Sequence, residues 1–305
     1  MSRFGYAFAP MKYLTFRKED RWGIGCLIGD QVYSWAHASG DPRNSVWLVS
    51  CMSVNLIEYQ ELPDIGEIKL PAPLSSLTLG PVIPYPPKFL AIGLNYADHV
   101  AETGREKPQF PVVFNKQRTC ANGPYADVYK PRETEMLDYE GELAFVIGRR
   151  CRRVSAADAP KVIAGYTIVN DVSVRDWQRL APTLTLGKSW DTHGPMGPWL
   201  VTPDELGDPH NLPIRTYVNG ALRQESNTRH LMWNCYQLVE ILSTVFTLEP
   251  GDVIATGTPA GVGMAMDPPT FLNADDVVRV EIDGIGHIEN RIIDEPEPLS
   301  FIDGD

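Results

Sequence analysis

The stretch LDYEGELAFVIGRR, residues 137–150, sets the hardest condition on how this chain folds. Leu143 to Ile147 is an unbroken run of apolar β-formers closed by Gly148, the pattern of a buried strand. Glu140 and Glu142 occupy its leading end. Alternate residues of a strand point the same way, so Asp138, Glu140 and Glu142 are expected on one face. Carboxylates gathered like that must be exposed, protonated or neutralised by a cation. Any fold that buries the apolar run has to provide one of those three solutions at the strand's end.

Beyond residue 88 the chain reads mainly as strands, among them FLAIG (89–93), VVFNK (112–116), GYTIVND (165–171), IRTYVNG (214–220), DVIATG (252–257) and VVRVEIDGIGHIENRII (277–293). Gly29-Asp30, Asn219-Gly220 and Asp283-Gly284 are hairpin dipeptides, so part of the sheet is expected to be antiparallel. Helices are few. Residues 46–59 read as one, and 229–246 as another, with Leu231, Cys235, Leu238, Leu242 and Val245 in an apolar stripe behind a Thr228 cap. A strand-rich chain with few helices belongs to the α+β class. Pro71, Pro73, Pro81, Pro84, Pro86 and Pro87 can neither donate to a sheet nor continue a helix. They mark 76–87 as an extended connector between a small N-terminal α+β domain (1–75) and a main domain (88–305).

Composition narrows the function. A net charge of -12 lacks the basic surface that nucleic acid or anionic lipid requires, so neither is expected as a partner. No stretch approaches the roughly 18 apolar residues of a membrane span, and the N-terminus has no signal-like apolar region, so the expected location is cytoplasmic. The five cysteines are odd in number and show no CxxC pair, which points to buried thiols rather than a disulfide framework or a zinc site. No glycine signature for nucleotide binding opens a helix.

Asp171 ends the apolar segment GYTIVND, where a polar side chain again costs free energy unless it is used. Two glutamates and an aspartate, without histidine or cysteine donors, suit magnesium or manganese, with calcium a further fit and zinc disfavoured. Spacing alone fits equally well an edge strand whose Glu140 and Glu142 face solvent. Five motifs in register carry more weight: DYEGELAFVIGRR, IVNDVSVRDWQ, GKSWDTHGPMGPW, VNGALRQ and TLEPGDVIATGTPAGVG. Over residues 88–293 they resemble the fumarylacetoacetate hydrolase superfamily, in particular its shorter acylpyruvate and fumarylpyruvate hydrolases and its 2-hydroxyhepta-2,4-diene-1,7-dioate isomerases. The resemblance implies a metal held by Glu140, Glu142 and Asp171 and a mixed β-roll or sandwich catalytic domain. It also implies a smaller N-terminal domain, pairing into homodimers, and a role in the catabolism of aromatic compounds.

Around that centre the sequence offers groups for chemistry. His99 and Glu102 lie three apart in GLNYADHVAETG, so on a helical turn they face the same side, where a carboxylate orients an imidazole and raises its basicity toward water. Relatives carry this pair on a lid over the metal. Arg175 and Gln178, also three apart, present a cation and an amide to a substrate carboxylate. Lys188 follows a segment read as too polar and proline-interrupted for a helix; by similarity it points at the metal site and stabilises an oxyanion or enolate. The loop ATGTPAGVG adds Thr258 and backbone N–H groups suited to a carboxylate, and Tyr96 is expected in the cleft. Two departures stand out: Asn95 replaces an aspartate ligand found in the superfamily's mammalian namesake, and NKQ (115–117) alters a familiar lysine dipeptide. The lid and residues such as Trp190, His193 and Met196 are expected to shape the distal pocket, with His193 reading equally well as a packed or surface side chain. The expected activity is a metal-dependent hydrolase that cleaves a carbon–carbon bond of a 1,3-dicarbonyl 2-oxo acid with water activated by His99 and Glu102. The alternative on the same site is decarboxylation of oxaloacetate-like acids or isomerisation of 2-hydroxy-dienoates.

Overall fold

The protein solves the problem of its apolar run by placing it between two cores. The computed structural model describes residues 12–18, 21–39, 71–104, 106–297 and 300. Within it the strand Gly141–Ile147 lies inside a large sheet, antiparallel to Ile163–Asn170 on one side and to Val253–Ala255 on the other. The sheet continues past Ile163–Asn170 through Gly194–Val201, Lys12–Lys18, Arg21–Ile28 and Gln31–Ser39, and past Val253–Ala255 through Phe89–Gly93 and Val112–Lys116. A second sheet, Ala221–Asn227, Pro213–Val218, Val277–Ile282, Gly286–Asp294 and Val128–Lys130, packs against its centre. Leu143, Phe145 and Ile147 point toward this second sheet, joining Ile214, Val280 and Ile288. Ala144 and Val146 point the other way, joining Phe89, Ala91, Phe114 and Met196. With side chains alternating into two apolar layers, no position of the run tolerates a polar residue. Truncating the fully buried Phe145 to alanine is expected to cost about 3–5 kcal/mol, read as a lower denaturant midpoint with an unchanged slope.

Gly141 has a steric reason for its place between the two glutamates. A Cβ there would collide with Thr216 Oγ1 and lie 2.9 Å from Val280 Cγ1, so the sheets close up at this point only because the residue is glycine.

All three expected hairpins are present. Gly29-Asp30 joins Arg21–Ile28 to Gln31–Ser39, and Asn219-Gly220 joins Pro213–Val218 to Ala221–Asn227 with both turn residues left-handed (φ 51 and 77). Asp283-Gly284 turns Val277–Ile282 into Gly286–Asp294. Residues 12–18 and 21–39 extend the main sheet, pairing Lys12 with Val201 and Tyr13 with Leu200. The fold is thus α+β and mainly β. The helix expected over 46–59 lies outside the described residues.

One helix begins later than its apolar stripe indicates. It spans Cys235–Val245, and its cap is Asn234, whose side chain accepts the Tyr236 and Gln237 N–H groups while Gln237 reaches back to the Asn234 N–H. Thr228 is not the cap. Its hydroxyl accepts from Leu212 N and donates to Pro209 O, and Thr228–His230 forms a separate 3-10 turn. That capping box competes successfully with hydrophobic periodicity for the start of the helix. Cys26, Cys120 and Cys235 are buried free thiols, and Cys151 is half-buried.

Candidate active site

The carboxylates meet where two chain reversals bring short segments side by side. Leu137–Asp138 pairs antiparallel with Ser173–Val174, and the Asp171 N–H donates to Glu140 O at 2.8 Å. Tyr139 and Glu140 lie between Leu137–Asp138 and Gly141–Ile147, so Glu140 is not on the same strand as Glu142, which corrects the picture of one continuous acidic face. Their carboxylates nevertheless converge with that of Asp171, all three buried, with one oxygen from each within 4.8 Å of the others. Burial rules out the solvated edge-strand alternative.

The protein's own cations neutralise this centre unequally. Lys188 Nζ bridges Glu140 Oε2 (2.7 Å) and Asp171 Oδ2 (2.8 Å), and Lys116 Nζ pairs with Asp171 Oδ1 (2.6 Å). Arg175 donates from Nη1 to Glu140 Oε1 (2.6 Å) and from Nε to Asp138 Oδ2 (2.8 Å). Burial pushes the Glu140 carboxyl up, but Lys188, Arg175 and His99 together outweigh it and hold the group down at about 2. Glu142 has the opposite fate: burial, then the charges of Asp171 and Glu140, push it well above the ordinary range, and its hydrogen bond is a neutral one from Gly257 N at 2.7 Å. Four buried carboxylates therefore face three buried cations, with the deficit at Glu142. An all-oxygen donor set with a surplus negative charge fits a hard divalent cation. With one oxygen from each carboxylate within 4.8 Å of the others, the three residues are close enough to serve one such ion.

A cavity of about 50 Å³ opens beside the carboxylates, lined among others by His99, Glu140, Arg175, Gln178, Lys188 and Thr258. His99 stands on the helix Ala97–Glu102, its Nδ1 2.7 Å from Glu102 Oε1, and Glu102 Oε2 accepts the Gly261 N–H at 2.8 Å. Both Glu102 oxygens act as acceptors, so Nδ1 carries the imidazole hydrogen and Nε2 keeps the lone pair. Arg175 and Gln178 share the short helix Arg175–Gln178 and bond to each other at 3.1 Å. Nη2 of Arg175 is buried without a partner. Lys188 ends a one-turn helix, Thr185–Lys188, entered through left-handed Leu184 (φ 63), where the sequence reading had no helix.

Other expected residues have different roles. Tyr96 precedes the His99 helix, and its hydroxyl is buried without a partner away from the cavity wall. Thr258 reaches the wall, but its hydroxyl donates to Gly141 O (3.0 Å) and accepts from Gln224 Nε2 (2.8 Å). The loop N–H groups of Gly257, Gly261 and Gly263 hold the protein's own Glu142, Glu102 and Asp138 rather than facing free space. Asn95 is consumed by Trp233 and Thr256 backbone groups and stands apart from the three-carboxylate cluster. Trp190, His193 and Met196 do not line the cavity. Met196 is in the apolar core, and His193, held down at about 3 by burial, donates from Nε2 to Tyr129 O at 2.7 Å.

Lys116 and Gln224 are the residues that motif reading passed over. Lys116 shares the buried parity of Phe114 on its strand, which is a legible signal that its charge must be matched inside. Gln224 clamps the centre from the second sheet, accepting from Gly141 N (3.0 Å) and donating to Thr258 Oγ1 and Pro259 O (both 2.8 Å).

A mainly β body with a buried all-carboxylate centre able to hold a divalent cation, a carboxylate-oriented histidine and a lysine–arginine pair has the make-up of an enzyme site. The chain belongs to the fumarylacetoacetate hydrolase family: residues 88–293 match the family described as "Fumarylacetoacetate (FAA) hydrolase C-terminal". It is 45% identical over 221 residues to a mitochondrial oxaloacetate tautomerase of Xenopus laevis, covering 72% of this chain and 69% of that one. A second mitochondrial oxaloacetate tautomerase, from Bos taurus, is 43% identical over 223 residues, covering 72% and 71%. Among solved structures, maleylpyruvate hydrolase from Sphingobium sp. SYK-6, in complex with manganese (II) ion and pyruvate, superposes with a TM-score of 0.76 at 29% identity. That match covers 94% of this chain and 100% of the other. The 2-hydroxyhepta-2,4-diene-1,7-dioate isomerase of Mycobacterium marinum superposes with a TM-score of 0.74 at 32% identity, with the same coverage. Among the described residues no helix is long and apolar enough to cross a membrane.

Proposed function

We propose that the protein catalyses keto–enol interconversion of a small 2-oxo dicarboxylic acid of the oxaloacetate class, using magnesium or manganese. The observation that carries this reading is the wall of the cavity, where Arg175 and Lys188 stand with His99 beside the carboxylates: two cations for a small dianionic acid and a base for its proton. The kinship to oxaloacetate tautomerases supports the same choice.

Glu140, Glu142 and Asp171 would hold the metal, which when bound supplies a Lewis acid for the 2-oxo group. Arg175 Nη2, the buried donor without a partner, receives a substrate carboxylate, and Gln178 braces it. His99 Nε2 takes a proton from C3, and the electron pair of the broken C–H bond moves to the 2-oxo oxygen. Two of the three Lys188 N–H donors are spent on Glu140 and Asp171, leaving the third to hydrogen bond that oxygen as charge develops. The imidazolium of His99 gives a proton back to the oxygen, directly or through water, which completes the enol and leaves composition unchanged. The same histidine can instead activate water, and the His99–Glu102 pair is what supports the second reading, hydrolysis of an acylpyruvate.

The two readings separate in one assay series. With magnesium or manganese present, the protein is expected to accelerate decay of the ultraviolet absorbance of enol-oxaloacetate without releasing acetate from acetylpyruvate. Acetate release outpacing any effect on oxaloacetate would replace the tautomerase reading with the hydrolase one.

A further inference from the structure

Arg175, on the cavity wall, has five N–H donors in a rigid fork, and the pair on Nη2, buried without a partner, can serve a ligand only if the fork is held in one plane. Nη1 is engaged by Glu140 and Gln178, and a guanidinium gripped at one nitrogen alone still pivots about it. The second grip is Asp138, through Nε at 2.8 Å. Asp138 is fully buried and lies outside the three-carboxylate cluster. Its orientation does not depend on the arginine: Oδ1 accepts the N–H groups of Tyr139 (2.9 Å) and Gly263 (2.8 Å), and Oδ2 that of Met264 (3.0 Å). Gly263 leaves the room for this, since a Cβ there would sit 2.8 Å from Asp138 Oδ1. Met264 in turn forms part of the cavity wall.

We propose that Asp138 is a positioning residue for ligand recognition: it locks the guanidinium plane of Arg175 so that Nη2 faces the cavity, and it ties that arginine to the Gly263–Ala265 turn carrying Met264. The inference rests on the reading of Arg175 as the receptor for the substrate carboxylate. Without Asp138 the grip on Nε is lost, the guanidinium is free to pivot about Nη1, and the edge carrying Nη2 turns away. Recognition of the anion then weakens while the metal ligands keep their places.

The test uses the magnesium-loaded protein and oxalate, a small dianion, with binding followed by calorimetry. Asp138→Asn is expected to weaken oxalate about tenfold or more while magnesium affinity stays within about threefold. In an Arg175→Gln background, the added Asp138→Asn change is expected to have almost no further effect, because the residue acts through the arginine. An equal loss in both backgrounds, or no loss with Arg175 present, overturns the positioning role. If Arg175→Gln itself leaves oxalate binding intact, the failure lies instead with the reading of Arg175. Should Asp138→Asn not fold, the wild-type protein still decides: the Arg175 Nε–H is expected to give a resolved proton–nitrogen NMR signal that exchanges slowly with solvent. Exchange at the rate of a free guanidinium sinks the proposal.

Discussion

Glu142→Gln is expected to make the metal-free protein more stable and at the same time remove its stabilisation by magnesium or manganese. The first half follows from electrostatics. Glu142 is buried beside Asp171 and Glu140, and both neighbours add to burial in raising its pKa well above 4.5. A carboxyl whose folded pKa exceeds its unfolded one binds protons more tightly in the folded state, so stability falls as pH rises. The penalty is absent below about 4.5 and grows from there up to the folded value. Glutamine removes it and can still accept the Gly257 N–H at the same site. The second half follows from coordination, since a neutral amide is a poor third ligand for a hard cation. At a metal concentration of about 100 Kd, binding stabilises the folded state by about 2.7 kcal/mol; a 100-fold weaker Kd leaves only about 0.4 kcal/mol. The loss corresponds to a Tm shift of about 3–4 °C for a chain of 305 residues. Thermal melts with and without magnesium, at pH 5 and pH 8, check both halves. A variant that still gains several degrees from the metal would show that the ion, if bound, is held elsewhere.

The legible part of this site was legible because its residues sit where physics penalises them. Glu142 heads a strand with no tolerance for charge, Asp171 ends another, and His99–Glu102 and Arg175–Gln178 have the spacing of one helical turn, which the structure supplies in both cases. What escaped depends on contacts remote in sequence. Nothing near Asn95 indicates that the Trp233 and Thr256 backbone will absorb its amide, 138 and 161 residues away. Nothing near Thr258 indicates that Gln224 and Gly141 O will claim its hydroxyl. Lys116 carried a faint signal, the parity it shares with Phe114, but its partner Asp171 lies 55 residues further on. The helix at Cys235 shows the same limit on a local scale: two turns of apolar periodicity extend toward residue 229, and four hydrogen-bonding atoms of Asn234 and Gln237 overrule them. Periodicity reports which face is buried; capping and long-range pairing decide where an element stops and which polar atoms remain available for a ligand.

The availability of one such atom underlies the second large effect. His99 Nε2 is the basic nitrogen because Nδ1–H donates its hydrogen bond to Glu102, and Glu102 is itself fixed by the Gly261 N–H. His99→Gln is therefore expected to lower turnover of oxaloacetate by about 10²–10⁴-fold, the usual contribution of a positioned general base, with the metal-induced rise in Tm retained because no metal ligand is touched. Glu102→Gln keeps the imidazole but loses the carboxylate that selects its tautomer. Its turnover should fall between wild type and His99→Gln, because the imidazole is no longer held in the tautomer that leaves Nε2 free. Hydrogen–deuterium exchange at C3 of pyruvate in heavy water isolates this step from hydrolysis and decarboxylation alike, because it requires only removal and return of one proton. Wild-type protein loaded with magnesium should catalyse the exchange and His99→Gln should not. Undiminished exchange in the variant would transfer the role of base to another group on the cavity wall, and with it the reason why Glu102 and the Gly261 loop are tied to this helix.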